Sequence, residues 1–235
     1  WAEVAGCGLI AFSPLLALFL GFIVHQPYLL ILSIGGAFFW LIAALLSGAL
    51  WYAFSMTNVW IFVIIESLFF QEVFRWALWF LYNISLRSKF MAAKAHVSKT
   101  GEEVAIGSGI SAAHAIIMFG SILWDVRGPG SFYIASCPRV PIFLSSAIIA
   151  CMISILDVCW TIIAYEGYRS RSIPKIVFVI FAHFVSSFLT ILNTLPTTGM
   201  CWLVFVGEFL LVLVSGGIVY ICIKDQRARQ SQKTR

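Results

Sequence analysis

Val140-Pro-Ile-Phe-Leu-Ser-Ser-Ala-Ile-Ile-Ala-Cys-Met-Ile-Ser-Ile-Leu-Asp-Val-Cys-Trp-Thr-Ile-Ile-Ala-Tyr165 is apolar on every side and carries one charged residue, Asp157. A helix of ~20 such residues crosses the ~30 Å hydrocarbon core of a bilayer. A barrel strand would alternate polar and apolar over segments of ~10 residues, and this stretch does not. Six further runs read the same way: Val4–Val24, Tyr28–Phe54, Val59–Tyr82, Val104–Trp124, Ile176–Asn193 and Met200–Ile223. The expected fold is an all-α membrane protein, a bundle of seven transmembrane helices in a single polytopic domain over residues 1–235, with residues 224–235 as a basic tail. The composition agrees, at 61% hydrophobic and 11% charged over 235 residues, with mean hydropathy +0.99. The first run lacks a basic start and reads as a span rather than a signal peptide.

Charge orients the bundle. With the N-terminus outside, the inner loops and tail hold Arg87, Lys89, Lys94, Lys99, Arg169, Arg171, Lys175, Lys224, Arg227, Arg229, Lys233 and Arg235. The outer loops hold only Arg127 and Arg139, and Arg75 lies within run three. Basic residues favour the cytoplasmic side, so the N-terminus is expected outside or in the lumen and the C-terminus in the cytosol. The net charge of +5 is then a topology signal with a weak attraction to anionic membrane lipid. No basic, aromatic-studded polar face points to nucleic acid. Of the six cysteines, Cys7, Cys151, Cys159, Cys201 and Cys222 fall in or at the edge of runs, and Cys137 lies in an outer loop without an evident loop partner. They read as small hydrophobes rather than a disulfide framework.

Ionisable groups inside spans are costly and mark function by default. Here they are Glu66, Glu72, Arg75, His114, Asp157, His183 and Glu208. Asp157 and His183 both lie eight residues from an inner boundary, ~12 Å deep, on antiparallel neighbouring runs, so a hydrogen-bonded Asp157–His183 pair is expected. Glu72 and Arg75 sit at i,i+3 and can pair along one helix. The alternative to a chemical role is that these groups satisfy one another and specify packing. No local ligand spacing supports a metal, and no cofactor is implied. Ile106-Gly107-Ser108-Gly109 lacks the first glycine of a rhomboid-type G-x-S-G, and Asp157 stands alone where presenilin-type proteolysis needs two aspartates. Run three ends in Phe80-Leu81-Tyr82-Asn83 without the DRY of a G-protein-coupled receptor. No catalytic residue is assigned. A transporter or channel using Glu72, Arg75, His114, Asp157 and His183 as a polar path is the second reading, although matched breaks in the two halves of the chain are missing.

Several stretches resemble the anterior-pharynx-defective (Aph-1) subunit of gamma-secretase. They are Gly6-Cys7, Ala11-Phe12-Ser13-Pro14 and Leu18-Phe19 in run one; Gly36-Ala37-Phe38-Phe39-Trp40-Leu41 in run two; Gln71-Glu72-Val73-Phe74-Arg75 in run three; Gly128-Pro129-Gly130 in the outer loop; and His183 with Leu189-Thr190-Ile191-Leu192-Asn193 in run six. The resemblance implies a non-catalytic scaffold that assembles with presenilin, nicastrin and the presenilin enhancer, presenilin supplying both catalytic aspartates. It implies residence in endoplasmic reticulum, Golgi and cell-surface membranes and a part in Notch signalling. Two departures stand out. Asp157 occupies the place of the family's fifth-span histidine. The family's tandem GxxxG in the fourth span is here Gly107-x3-Ser111-x3-Ala115 or, in the other register, Gly109-x3-Ala113. Either register is a small-xxx-small face suited to close helix approach.

Overall fold

The computed structural model describes residues 2–54, 60–87, 98–125, 132–195 and 197–233. The outer-loop Gly128-Pro129-Gly130, the Ser55–Asn58 connection, Arg127, Lys89, Lys94 and Arg235 lie outside the described residues. Among the described residues seven helices follow one another. They are α1 (Ala2–Leu18, continued by a wider π-helical turn over Phe19–Ile23), α2 (Pro27–Phe54), α3 (Trp60–Arg87), α4 (Lys99–Asp125), α5 (Ile142–Ser170), α6 (Ile173–Ile191, ending in a tight turn over Leu192–Thr194) and α7 (Met200–Lys233). Six of them are long and apolar enough to cross a membrane. The exception is α3, which carries Glu66, Glu72 and Arg75. Of its charged residues Arg75 and Glu66 are buried.

α4 and α5 form the centre. α4 is wedged between α2 and α5, and α5 is flanked by α1, α4, α6 and α7. Small residues bring the backbones together. A Cβ at Gly36 of α2 would overlap the Ile106 carbonyl of α4, and a Cβ at Gly109 of α4 would overlap the Ser33 carbonyl of α2. Each helix thus offers the other a glycine at the crossing, which van der Waals packing in lipid requires. On the opposite side a Cβ at Gly107 would lie 3.0 Å from the Val158 Cα and 3.1 Å from the Thr161 Cβ of α5. Ser111 donates to the Ser154 carbonyl of α5 at 3.0 Å.

α7 is peripheral. Its buried residues Cys201, Val204, Glu208, Ser215, Cys222 and Gln226 recur at spacings of three, four or seven positions, a narrow seam of coiled-coil type. The helix runs on through most of the expected tail, to Lys233. Membrane thickness limits the span, not the helix, and Gln226 and Arg229 fasten the extension to the bundle.

On the other face, the connection read as a plain outer loop contains a hairpin, β1 (Tyr133–Ile134) paired antiparallel with β2 (Cys137–Pro141). Val140 and Pro141 therefore precede α5 rather than begin it. Cys137 has a partner after all: it forms a disulfide with Cys201, 64 residues away in the first turn of α7. Local cysteine spacing could not reveal this, because the two residues meet only once α5 and α6 have crossed back and forth. Ser136 adds two further links, its hydroxyl donating to the Asn193 carbonyl and its carbonyl accepting from the Gly199 amide, both at 2.9 Å. Cys151, Cys159 and Cys222 form no disulfide among the described residues, and Cys7 and Cys222 are buried.

Candidate functional site

The five polar residues singled out inside the membrane join in one chain of contacts across four helices. His114 of α4 and Asp157 of α5 share a hydrogen bond, Nδ1 to Oδ2 at 2.9 Å. The other oxygen of Asp157 lies 3.7 Å from the Arg75 guanidinium of α3. Arg75 pairs with Glu72 one turn back, and Glu72 bonds His183 Nδ1 of α6 at 2.8 Å. The order is His114–Asp157–Arg75–Glu72–His183. Arg75 is the one permanent cation and touches both carboxylates. Trp40 stacks on the His114 ring at 4.9 Å between centroids, and Trp160 covers His183 at 4.8 Å. These aromatic walls lower the local dielectric, which makes the pairs strong and the loss of one member costly.

The expected Asp157–His183 pair is not the one formed. Equal depth sets two residues at one height but leaves their direction around each helix open. Here Asp157 is directed to α4 and α3, and the Glu72–Arg75 pair supplies the acceptor for His183. The two-register question for α4 also resolves in physical terms. Gly107 and Ser111 meet α5, whereas Gly109 meets α2. Ala113 joins the cluster containing Trp40 and Ile110, and Ala115 is buried. Within this chain Gly107 and Ser111 thus pack on α5 and Gly109 on α2.

A double-mutant cycle reads this wiring. His114→Ala with Asp157→Ala, and Glu72→Ala with His183→Ala, are each expected to couple by about 0.5–3 kcal/mol in unfolding measured by denaturant titration in detergent. Asp157→Ala with His183→Ala should couple less. If that indirect pair coupled most strongly, the order of contacts above would be wrong.

A second polar cluster sits at the basic end of the bundle and was not visible in sequence. Glu102, Glu103 and Glu166 are wholly buried there. Tyr28 donates to Glu102 at 3.0 Å and Tyr82 bonds its other oxygen. Arg169 pairs with Glu103 and, at 3.0 Å, with Glu166. Arg229 of α7 pairs with Glu166. Gln226 donates to Glu166 at 3.1 Å and accepts from Thr100 at 2.9 Å. Five helices, α2, α3, α4, α5 and α7, are clamped at one level. In sequence Arg169 and Arg229 speak only to orientation, because the buried partners Glu103 of Arg169 and Glu166 of Arg229 lie far away along the chain. Glu66 and Glu208 have serine partners, Ser47 at 3.2 Å and Ser186 at 2.9 Å.

A groove runs between α3 and α6 beside the central chain. One hollow of about 410 Å³ there is lined by Phe69, Glu72, Tyr168, Ile180 and His183. A second of about 460 Å³, sharing Leu68 with the first, is lined by Ser67, Gln71, Ser187, Thr190 and Thr194. Together they form a groove that is apolar in its first hollow and carries hydroxyl and amide groups in its second.

A family model described as Aph-1 protein matches residues 2–226. The chain is similar to the gamma-secretase subunit APH1-like of Arabidopsis thaliana, 30% identical over 205 residues that make up 80% of each chain. It is similar to the gamma-secretase subunit Aph-1 of Drosophila melanogaster, 31% identical over 195 residues and 81% of each chain. With the gamma-secretase subunit APH-1B of Homo sapiens it shares 27% identity over 205 residues, covering 80% of this chain and 78% of the other. The Trp40 and Gln71 of the two stretches that resemble this family touch: the Trp40 indole N–H donates to Gln71 Oε1 at 3.2 Å.

Proposed function

Because this chain belongs to the Aph-1 family, whose model covers residues 2–226, we propose that it is a subunit of a gamma-secretase complex and acts there as a non-catalytic scaffold for other subunits' membrane helices. The observation that carries the scaffold role is the α3–α6 groove. Its first hollow is apolar, lined by Ile65, Phe69, Val73 and Ile180, and its second carries Ser67, Gln71, Ser187 and Thr190, whose remaining hydrogen-bonding capacity lipid tails cannot use. A partner's transmembrane helix laid along the groove can, and helix association in membranes rests on such contacts together with close packing. Presenilin-, nicastrin- and presenilin-enhancer-type subunits are the partners this reading assigns, in endoplasmic reticulum, Golgi and cell-surface membranes.

The polar residues suit holding rather than chemistry. Asp157 is bound to His114 and Arg75, so it is not poised to share a proton with a second carboxylate. Ser108 is buried on α4, and both span histidines of the central chain are bonded to carboxylates. The five-residue path of the transporter reading is closed by its own pairings and by the stacked Trp40 and Trp160.

Two independent signals support a lumenal or extracellular N-terminus. Basic residues gather at the opposite face, and the Cys137–Cys201 disulfide belongs on an oxidising side.

Filling the groove tests the reading. Val73 is partly exposed and lines the first hollow. Val73→Trp is expected to cut recovery of the other subunits in membrane pull-downs by roughly tenfold, the loss expected when about 1.4 kcal/mol of helix–helix packing is blocked. The exposed Val214 of α7 is the control, and Val214→Trp should change nothing. The lone purified chain should cleave no membrane substrate, and activity should appear only with a presenilin-type partner and depend on that partner's aspartates. Full recovery with Val73→Trp would move the docking face elsewhere. Proteolysis by the lone chain, lost in Asp157→Ala, would overturn the scaffold role.

A further inference from the structure

The turn between α5 and α6 carries a feature that neither polar cluster uses. α5 closes with Arg171 in the left-handed region, φ 53°, and the Ser172 amide bonds the Gly167 carbonyl at 2.9 Å. The chain passes at once into α6. Ser172 occupies the N-cap but makes no capping hydrogen bond, and Pro174 brings no N–H to the first turn. The inner end of α7 runs alongside. Between them lies a cleft of about 470 Å³ lined by Ser170, Ser172, Lys175, Asp225, Ala228 and Arg229.

Its donors have capacity to spare. Arg229 uses one nitrogen for Glu166 and another for the Asp225 carbonyl, yet its side chain is 47% exposed. Lys175 also reaches the Cys222 thiol, a weak acceptor that does not neutralise it. The cleft therefore presents two cations, the Ser172 hydroxyl and, across from them, one carboxylate. Such a set matches a headgroup with a phosphate for the cations and hydroxyls for the carboxylate. A phosphomonoester carries about −1.5 to −2 charges and three strong acceptor oxygens. Arg offers a fork to such oxygens and Lys a point charge. Directly along α6 from the cleft, Ile173, Val177 and Phe181 are exposed at i, i+4 and i+8, an apolar track on one face of the helix. Basic pockets between membrane helices at their cytoplasmic ends are where phosphorylated headgroups bind.

We propose that this cleft is a headgroup site for a phosphorylated polyol lipid, of the phosphoinositide class. The phosphomonoester lies between Lys175 and Arg229 with Ser172 donating to it, Asp225 accepts ring hydroxyls, and an acyl chain follows Ile173, Val177 and Phe181. The site is a property of this chain by itself and stands whether or not the scaffold reading holds.

The test uses the full chain in phosphatidylcholine nanodiscs doped with a minor fraction of phosphatidylinositol 4-phosphate, with retained lipid counted by native mass spectrometry. The wild-type chain is expected to retain the phosphoinositide well above its share of the bilayer. Lys175→Glu, at a partly exposed position, should lower that enrichment roughly tenfold with the melting temperature unchanged. Ser172→Ala should lower it less. With phosphatidic acid, a phosphomonoester lacking the polyol, as the competing dopant, the wild type should prefer the phosphoinositide and Asp225→Ala should lose that preference. Soluble inositol phosphate should fail to displace the lipid. Enrichment unchanged in Lys175→Glu would overturn the site. Unchanged preference in Asp225→Ala would overturn the polyol contact, and displacement by the soluble headgroup would make this a site for free anions rather than lipid.

Discussion

Gly109→Ala is expected to be the most damaging single-methyl change in this chain. The added Cβ lands on the Ser33 carbonyl of α2, and backbone, unlike a side-chain tip, cannot step aside without moving a helix. The overlap lies at the crossing where Gly36 faces Ile106 in the same manner, so α2 and α4 can part only by giving up both contacts. Overpacking of this kind costs about 3 kcal/mol, the upper end of the ordinary range, or roughly a hundredfold in the folded-to-unfolded ratio. Gly120→Ala on the same helix is the control. A Cβ there meets nothing within 4 Å, and alanine is the better helix former. Equilibrium unfolding in mixed micelles should show a large loss for the first and none for the second. Equal behaviour of the two would mean that the helices are not in backbone contact at Gly109. If the proposed complex forms, its yield should follow the same ranking.

The second large effect is expected at Arg75. Arg75→Met keeps the length of the side chain and removes the only permanent cation of the central chain. Glu72 and Asp157 would then face each other's charge inside a bundle where both are largely buried. Breaking a buried ion pair by removing one partner costs about 3–5 kcal/mol, because the surviving charge keeps its desolvation penalty. Arg75→Lys should recover part of the loss, since a lysine reaches one carboxylate but lacks the fork that spans two. The decisive variant is Arg75→Met combined with Glu72→Gln and Asp157→Asn. With no charge left to neutralise, most of the stability should return. Failure of that triple variant to recover would show that Arg75 acts through shape rather than charge.

The helices were legible because apolar length is a one-dimensional property. All seven runs became helices, and α3, the least apolar, still contributed Glu72 and Arg75 to the place where polarity inside a membrane pointed. What was hidden is angular or long-range. Depth placed Asp157 and His183 at one level but could not say that Asp157 turns toward His114. Small residues marked α4 as an interface, yet Gly107 and Gly109 lie on different sides of the helix, and two helices claim them. Glu102, Glu103 and Glu166 stood at the edges of apolar runs, where acidic residues are ordinarily solvated. Only the approach of distant helices shows Glu102 buried against Tyr28 and Tyr82, and Glu103 and Glu166 against Arg169, Gln226 and Arg229.

The disulfide between Cys137 and Cys201 also has a time order. Cys137 leaves the ribosome 64 residues before its partner, about 3–13 s at ordinary rates of synthesis. In the proposed orientation it is throughout that interval a thiol on the lumenal face, while α5 and α6 thread the bilayer. An oxidant of that compartment can join it to its partner only after the last helix has inserted with Cys201 on the same side. A chain whose α7 stalls or inverts strands Cys201 across the membrane, and Cys137 stays available to thiol-reading chaperones. The bond thus works as a completion mark on membrane insertion, written by the compartment rather than by the fold.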